Sequence, residues 1–332
     1  MNSNKIFSPG RRSILAGLAG LYSLPSIARA QTPWRPDRPI SLVIPFSAGG
    51  STDAMARLIA EPMGRHLGQT IVVENVTGAS GNIGAAKVAH ATADGHTALF
   101  AHVGVLSVNQ YLYDTTGFDS IRDFAPVGLV CTNPMALLVS AKSGIETLPQ
   151  LVERSRKGDL KIATSGNGST LHLAAEQFLE ATGGHAHLIP YRGGAPAVND
   201  LLAGVVDMLV EQAFSAIPNS RSGQAKALLV TGPKRLPALP DVPTAAEAGL
   251  PGITIEIWNA IVLPRAVPAP VSAAWQAALA VGLADSNVRA RFAEFMSDIP
   301  TGEETTPQYF GDLIARDSKR WGELLKRGKA AK

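Results

Sequence analysis

The sequence predicts an α/β protein of two lobes, each built on a mostly parallel sheet flanked by helices. Short apolar strands alternate with amphipathic helices along the chain, which is typical of βαβ units and parallel sheets. After Lys142 the same order starts again. A chain of 332 residues is long enough for two such lobes.

The first lobe begins with the apolar strand Ile40–Ile44, which runs through a glycine-rich loop into a helix over Thr52–Leu67. Apolar residues recur in that helix at helical spacing. A β-branched strand over Ile71–Glu74, a helix over Ile83–His90 and a short strand over Thr97–Ala101 follow. This βαβα order predicts that neighbouring strands pair in parallel.

The second lobe repeats this order. Residues 148–158 predict a helix, and residues 160–169 predict a strand and a glycine-rich loop. Residues 170–184 predict a helix that ends at glycine, and residues 185–194 predict another strand and loop. A helix and then a strand are expected over residues 195–211.

The last part of the chain returns to the body of the protein. The proline-rich residues 233–252 predict a loop with one short helix, capped by Thr244 and closed by Gly249. A strand over residues 253–264 and two helices complete the chain. The final helix should dock on the body, because its apolar side chains share one face. They are Phe310, Leu313, Ile314, Trp321, Leu324 and Leu325.

The first 30 residues predict a secretory signal peptide. A basic start is followed by the apolar stretch Ile14–Leu24 and by an A-x-A site with Ala28 and Ala30, so cleavage is expected after Ala30. Eleven apolar residues are too few to span a bilayer, which needs about 20. The general secretory route is favoured, and "RRSIL" is only a weak match to a twin-arginine export signal.

Charge and cysteine content exclude several classes. The leader holds four of the 30 basic residues and none of the 27 acidic ones, so the mature chain has a net charge of −1. That balance gives no support for nucleic acid or an anionic membrane as partner. Cys131 is the only cysteine, which excludes an intrachain disulfide, and its apolar neighbours predict a small core residue.

Two glycine-rich loops are the main candidate binding walls. Each follows a strand and opens a helix, where backbone N–H groups can hold an anion. Neither loop has a P-loop lysine or dinucleotide-binding spacing, which favours a carboxylate over a phosphate. A tight turn with an N-cap serine and no ligand is the alternative. The candidate residues are Phe46, Ser47, Ala48, Gly49, Gly50, Ser51 and Thr52 in the first loop, and Ser165, Gly166, Asn167, Gly168, Ser169 and Thr170 in the second.

Four residues outside these loops are further candidates. His102 and His172 lie beside the cleft elements, and each could contact a ligand. Arg192 could clamp a carboxylate or make a surface ion pair, and Glu211 could face a ligand amine or hydroxyl. Asp53 suits the dipole of the first helix.

Catalysis and metal binding are not indicated. The chain has no G-x-S-x-G nucleophile elbow. His185 and His187 alternate on a strand-like segment without further ligands at metal spacing, so solvated histidines are favoured. We therefore expect no enzyme activity, no cofactor and no metal.

The motifs resemble the solute receptors of tripartite tricarboxylate transporters, the Bug family. "PFSAGGSTDAMARLIA", "ATSGNGSTLHLAAEQF", "IPYRGGAPAVNDLLAGVVDM" and "LPALPDVPTAAEAGLPG" carry the resemblance, which covers nearly the whole mature chain. It implies a two-lobe, type II-like periplasmic binding-protein fold with a ligand cleft between the lobes. It also implies a monomeric periplasmic receptor that carries a small carboxylate solute to a membrane permease, without catalysis.

The resemblance also implies how the chain divides. The signal peptide covers residues 1–30, the first lobe 31–132 and the second lobe 133–257, and residues 258–332 return to the first lobe. Crossings are expected near Val130–Pro134 and Ile257–Asn259. The chain departs from the family pattern at "ENVTGASG", at Glu211-Gln212 and at Asn259-Ala260, which leaves the identity of the solute open.

Two other functions remain as alternatives. The chain could be an exported sensor that signals to a membrane kinase, which the residues do not distinguish from a transport receptor. It could also be an exported hydrolase that uses Ser51 or Ser169 as nucleophile, in which case the bound compound would be turned over.

Overall fold

The structure is a computed structural model that describes residue 1 and residues 34–166, 169–253, 255–294 and 296–330. The predicted signal peptide and its cleavage after Ala30 lie outside the described residues. The same holds for Asn167 and Gly168 in the second candidate loop, and for the side chain of Leu324.

The described residues contain nine strands, and the first three lie where the apolar runs predict them. The strands are β1 (Ile40–Ile44), β2 (Ile71–Asn75), β3 (Thr97–His102), β4 (Phe124–Ser140), β5 (Leu160–Thr164), β6 (Ala186–Pro190), β7 (Met208–Gln212), β8 (Ala225–Val230) and β9 (Glu256–Pro264).

The same part of the chain contains nine α-helices, and several begin directly after a glycine-rich loop. The helices are α1 (Ser51–Leu67), α2 (Asn82–Ala89), α3 (Leu148–Lys157), α4 (Thr170–Thr182), α5 (Gly194–Ala203), α6 (Ala213–Arg221), α7 (Ala269–Ala284), α8 (Ser286–Glu294) and α9 (Pro307–Ala330). A π-helical turn, Gly104–Val108, follows β3.

The strands pair in the order β2-β1-β3-β9-β4-β7-β5-β6, and β8 also pairs with β4. Pairing is parallel where β1 meets β2 and β3, and where β5 meets β6 and β7. These are the predicted βαβ units of the two lobes. Every pair that includes β4 or β9 is antiparallel, so each lobe has a mixed sheet.

Strand β4 belongs to both lobes. Its residues Phe124–Pro134 pair with β9, whereas Met135–Val139 pair with β7. The chain therefore passes between the lobes inside one continuous strand, and it returns near the start of β9 at Glu256. The residue boundaries predicted for the lobes stay a prediction.

The core of the first lobe follows from the two-residue period of its strands. In β1, Leu42 packs into a cluster with α1 and α7 residues such as Ile59 and Trp275, while Val43 packs into the cluster on the other face. Both faces of the strand are covered by helices, which explains why its sequence is almost continuously apolar. Cys131 is fully buried, as predicted, and burial raises the pKa of its thiol to about 12.

The last helix docks by the predicted face. Phe310, Ile314 and Trp321 are buried, and α9 packs against the π-helical turn and β4. Trp258 of β9 lies edge-on to Phe310 and donates from Nε1 to Asp317 Oδ2 at 2.6 Å. Trp258 is therefore part of the buried core.

Two local predictions were wrong. The Thr244–Gly249 segment forms hydrogen-bonded turns instead of a short helix, although Thr244 and Glu247 cap each other as at a helix start. Prolines on both sides leave too few residues to propagate a helix. The described residues after β9 also form three α-helices instead of two, because Asp285 separates α7 from α8.

Candidate ligand-binding site between the two lobes

The loop between β1 and α1 is held from behind by a buried carboxylate. Asp53 accepts hydrogen bonds from Gly49 N (2.9 Å), Arg57 Nε (3.0 Å) and Asn75 Nδ2 (2.9 Å). Asn75 also donates to the carbonyl of Phe46 at 3.0 Å. Burial of Asp53 opposes its ionisation, but these hydrogen bonds outweigh that effect and lower its pKa. Asp53 therefore shapes the loop and stays ionised.

The loop between β5 and α4 is fixed by an N-cap. Ser169 accepts a hydrogen bond from the backbone N–H of His172 at 3.3 Å, as predicted for a serine at a helix start. Gly166 has φ +118°, a conformation that side-chain-bearing residues rarely adopt. The capped helix start leaves other N-terminal N–H groups of α4 directed at the loop.

Two further helices start at the same place. The β2–α2 junction runs through Gly78–Gly81, where all four residues have positive φ. The β6–α5 junction turns at Gly193 with φ +146°. Because β1, β2, β5 and β6 are each followed by a helix, four helix N-termini lie at the carboxyl ends of the parallel strands. The sequence predicted only two of these walls.

The β2–α2 turn is strained and held in place. Ala79 and Ser80 have φ of +45° and +52°, which costs on the order of 1–3 kcal/mol for each non-glycine residue. Tyr113 Oη donates to Ser80 Oγ at 2.8 Å, and Asn109 Nδ2 donates to Ser80 O at 3.0 Å and to Asn82 Oδ1 at 2.6 Å. Strain that is supported by such a network is typical of functional sites.

A cavity of ≈ 240 Å³ lies between the lobes at these helix starts. It has the size for a small metabolite and not for a drug-sized ligand. Arg192 is the only charged residue among its lining residues, all of them in the described part of the chain. The lining consists of Pro45, Phe46, Gly78, Ala79, Ser80, Gly81 and Tyr113 from the first lobe, and Ser165, Gly166, Pro190, Tyr191 and Arg192 from the second.

The electrostatics of this cavity favour an anion. Arg192 is exposed and makes no ion pair with any described residue, so its charge is available to a ligand. Ser165 Oγ in the cavity lining, and Ser47 Oγ of the opposite lobe in a smaller adjoining pocket, are buried and have no hydrogen-bond partner among the described residues. These hydroxyls and the helix N-termini add donors to the one positive charge.

A smaller pocket of ≈ 20 Å³ continues the cleft inward, and Phe46 and Ser165 border both spaces. Its wall includes Ser51, His102 and Glu211. A larger groove of ≈ 750 Å³ runs along α1 and the edge strand β2. We assign the site to the cleft, because that groove involves one lobe only and no helix start faces it.

His102 is a buried neutral base. It is 3 % exposed and stacks on Phe46 with ring centroids 4.6 Å apart. Its Nδ1 accepts from Gly104 N at 3.0 Å and lies 3.4 Å from Thr170 Oγ1 of the second lobe. Burial lowers its pKa to about 4, so it contributes no positive charge at neutral pH.

Glu211 joins the two lobes inside the small pocket. Its Oε1 accepts from Ser51 Oγ of α1 at 3.2 Å and from the backbone N–H of Gln212 at 2.7 Å. The residue is 2 % exposed, and burial raises its pKa to about 7. Gln212 in turn accepts a hydrogen bond from Asn259 of β9 at 3.4 Å, so two of the residues that depart from the family pattern are in contact.

Most of the predicted site residues lie together at the cleft, although contact with a ligand stays a prediction for each. Those that border one of the two spaces are Phe46, Ser47, Gly50, Ser51, Thr52, His102, Ser165, Gly166, Arg192 and Glu211. Ala48 and Gly49 form the exposed tip of the first loop. His172 borders neither space, and its Nε2 lies 3.5 Å from Glu176 on its own helix. Sequence reasoning missed Ser80, Tyr113 and Tyr191, although the glycines of the β2–α2 turn signalled a backbone site.

The family is established by comparison with known proteins. The sequence profile of the tripartite tricarboxylate transporter family receptors matches residues 55–329. This chain is a member of that receptor family. The receptor is 36 % identical to the periplasmic binding protein BugD, with a TM-score of 0.85 over 88 % of this chain and 98 % of BugD.

Two solved relatives contain small acids. The receptor is 34 % identical to MatC from Rhodopseudomonas palustris with bound malate, with a TM-score of 0.83 over 87 % of this chain and 99 % of that one. It is 33 % identical to an R. palustris protein with adipate, with a TM-score of 0.83 over 88 % and 97 % of the two chains. These relatives confirm the two-lobe binding-protein fold. Among the described helices of the receptor, none is both long and apolar enough to cross a membrane.

Proposed function

We propose that the receptor captures a small organic acid, a di- or tricarboxylate or a related metabolite, between its lobes. It then delivers the solute to the membrane permease of a tripartite transporter. The observation that carries this proposal is the cavity between the lobes, where Arg192 is the one charged residue of the described lining and helix N-termini lie on both walls. Such a cavity attracts an anion, and the solute leaves it chemically unchanged.

The solved relatives suggest the size of the solute. Malate and adipate are dicarboxylates of four and six carbons, and their receptors share this fold. A carboxylate on each wall would form several charge-assisted hydrogen bonds of about 1.5–3 kcal/mol each. Together these bonds offset an association cost of about 4–15 kcal/mol. The expected net free energy of binding is roughly −8 kcal/mol, which corresponds to a micromolar Kd.

The proposed location is the periplasm. The leader predicts export, and the matched family consists of transporter receptors. Release to a permease requires that the lobes open again, and the two crossing strands provide the connection about which they can move. We propose that the receptor works as a monomer.

A panel of acids tests the proposal. Mature receptor, residues 31–332, is titrated calorimetrically with malate, adipate, succinate, citrate and aspartate, and with succinamide as a neutral control of similar size. We expect one or more acids to bind with micromolar Kd and succinamide not to bind. Binding of succinamide as tight as that of succinate would refute an anion site.

Two further measurements address closure and the alternatives. Small-angle scattering should show a smaller radius of gyration at saturating acid, and unchanged dimensions would argue against closure. Recovery of the acid unchanged after long incubation would exclude the hydrolase alternative. A partner kinase whose activity follows acid occupancy, with no loss of uptake on deletion, would favour the sensor.

A further inference from the structure

The carboxyl group of Glu211 is enclosed from both lobes. Glu211 is the penultimate residue of β7, and Ser51 of the opposite lobe approaches it at 3.2 Å. From its own lobe, the start of α5 lies directly on the other oxygen, since a Cβ added at Gly194 would lie 2.6 Å from Oε2. When the two lobes come into contact, the carboxyl group of Glu211 is therefore removed from water.

Among the described residues, no cation shares the pocket of Glu211. The titratable residues that share its pocket are Asp53 of α1 and His102 of β3, and neither supplies a positive charge. Arg57, the nearest cation to Asp53, is held by Asp53 and Asn75 and is half exposed. A buried carboxylate without a cationic partner takes up a proton instead of remaining charged.

The hydrogen-bond pattern indicates where that proton would sit. Both donors, Ser51 Oγ and the Gln212 N–H, are directed at Oε1. The second oxygen, Oε2, faces the start of α5 and the pocket. A proton on Oε2 would leave both hydrogen bonds to Oε1 intact.

We propose that closure of the lobes around the solute takes up one proton from solution, which Glu211 carries on Oε2 in the closed receptor. The inference rests on the proposed capture of an acid between the lobes. It makes binding of the anion pH-dependent. It also means that Glu211 enters the interface as a neutral donor and not as a partner for a ligand amine.

The sign of the effect follows from linkage. In the open receptor water reaches Glu211, and its pKa is the ordinary value of about 4.3. In the closed arrangement the pKa is about 7. The proton on Glu211 therefore strengthens binding fully when the pH is below the pKa of the open state. This gain in affinity is lost as the pH rises toward the pKa of the closed state. Kd should rise by close to tenfold per pH unit between about pH 5 and pH 6.5 and level off above about pH 8.

Calorimetric titration in buffers of different ionisation enthalpy measures how many protons the receptor takes up for each acid that it binds. Malate and adipate serve as probes. At pH 6 the wild-type receptor should take up about 0.9 proton more than Glu211→Gln, whose amide is neutral in both states, and at pH 8.5 the difference should vanish. Both proteins are titrated with the same acid, so protons that the acid itself gains or loses cancel in the difference. Glu180→Gln, which removes an exposed carboxyl near the C-terminal end of α4, should behave like the wild type.

Equal proton uptake by the wild type and Glu211→Gln at pH 6 would overturn the inference. If no acid of the panel binds, the proposed function fails, and a locked receptor then decides about the proton. A Cβ on Gly166 would lie 3.5 Å from Ser80 Cβ, within disulfide range, so Ser80→Cys with Gly166→Cys can tie the lobes together. The Glu211 carboxyl, followed by ¹³C NMR, should then titrate near 7 when oxidised and near 4 when reduced. A midpoint near 4 in both states would contradict the inference.

Discussion

Replacement of Gly193 by alanine should oppose closure of the lobes. Gly193 lies in the β6–α5 turn with φ +146°, opposite Ser47 of the first lobe. A Cβ at this position would lie 2.5 Å from Ser47 Oγ and 3.1 Å from Ser47 N. Ordinary contacts between such atoms need about 3.5 Å or more. The lobes of Gly193→Ala would therefore have to stop short of the arrangement seen here.

Two effects of this substitution can be separated by magnitude and by assay. The strained backbone costs about 1–3 kcal/mol in any state of the protein, so it lowers Tm. The clash exists only when the lobes meet, and overpacking of this kind costs about 1–3 kcal/mol, which weakens binding about 5- to 150-fold. The Kd for malate or adipate, measured by calorimetry, reports the effect of the clash. The Tm measured without ligand reports the effect of the backbone strain.

A matched variant provides the control. Gly158 also has positive φ, +80°, but a Cβ there meets nothing within 4 Å, so Gly158→Ala should lower Tm without changing Kd. Binding by Gly193→Ala within twofold of the wild type would refute the reasoning. Equal weakening by Gly158→Ala would do the same.

Three further predictions concern charge, packing and pH. Arg192→Gln should weaken acid binding about 10- to 150-fold by calorimetry, because one or two charge-assisted hydrogen bonds are lost, whereas the exposed Arg289→Gln on α8 should leave Kd unchanged. Trp275→Ala removes a fully buried ring and should cost about 3–5 kcal/mol in denaturant unfolding. Asp53 has a lowered pKa, so its stabilisation is present above about pH 4 and is lost as the pH falls further. The wild type should therefore lose more Tm than Asp53→Asn between pH 5 and pH 3, and parallel curves would contradict this.

Periodicity predicted the parallel units well. The runs at Ile40–Ile44 and Ile71–Glu74 and the helix between them are local patterns, and local patterns are decided by side-chain spacing. The length of β4 was not predictable in the same way. Pro126 and Pro134 suggest breaks, but Pro126 lies beside a bulge, and Pro134 is the last residue that pairs with β9. Partners far away in sequence decide whether such a segment stays extended.

The candidate site was predicted in outline. Glycine-rich loops before helices identified two of the four walls, because a helix start needs only local sequence. Arg192 was predicted to clamp a carboxylate or to make a surface ion pair, and Glu211 to face a ligand amine or hydroxyl. Arg192 has no ion pair among the described residues, and Glu211 is enclosed by both lobes, but contact with a ligand stays a prediction for both. His172 borders neither of the two spaces, since its position on α4 depends on which face of the helix turns to the cleft.

The sequence by itself determined the fold class, the receptor family and the places where backbone N–H groups are free at helix starts, since each follows from local order and spacing. Only the tertiary structure decided the charge state of the cleft. Whether Glu211 and His102 are charged depends on how much water and how many partners remain around them, and those neighbours come from strands and helices more than 50 residues away in the chain.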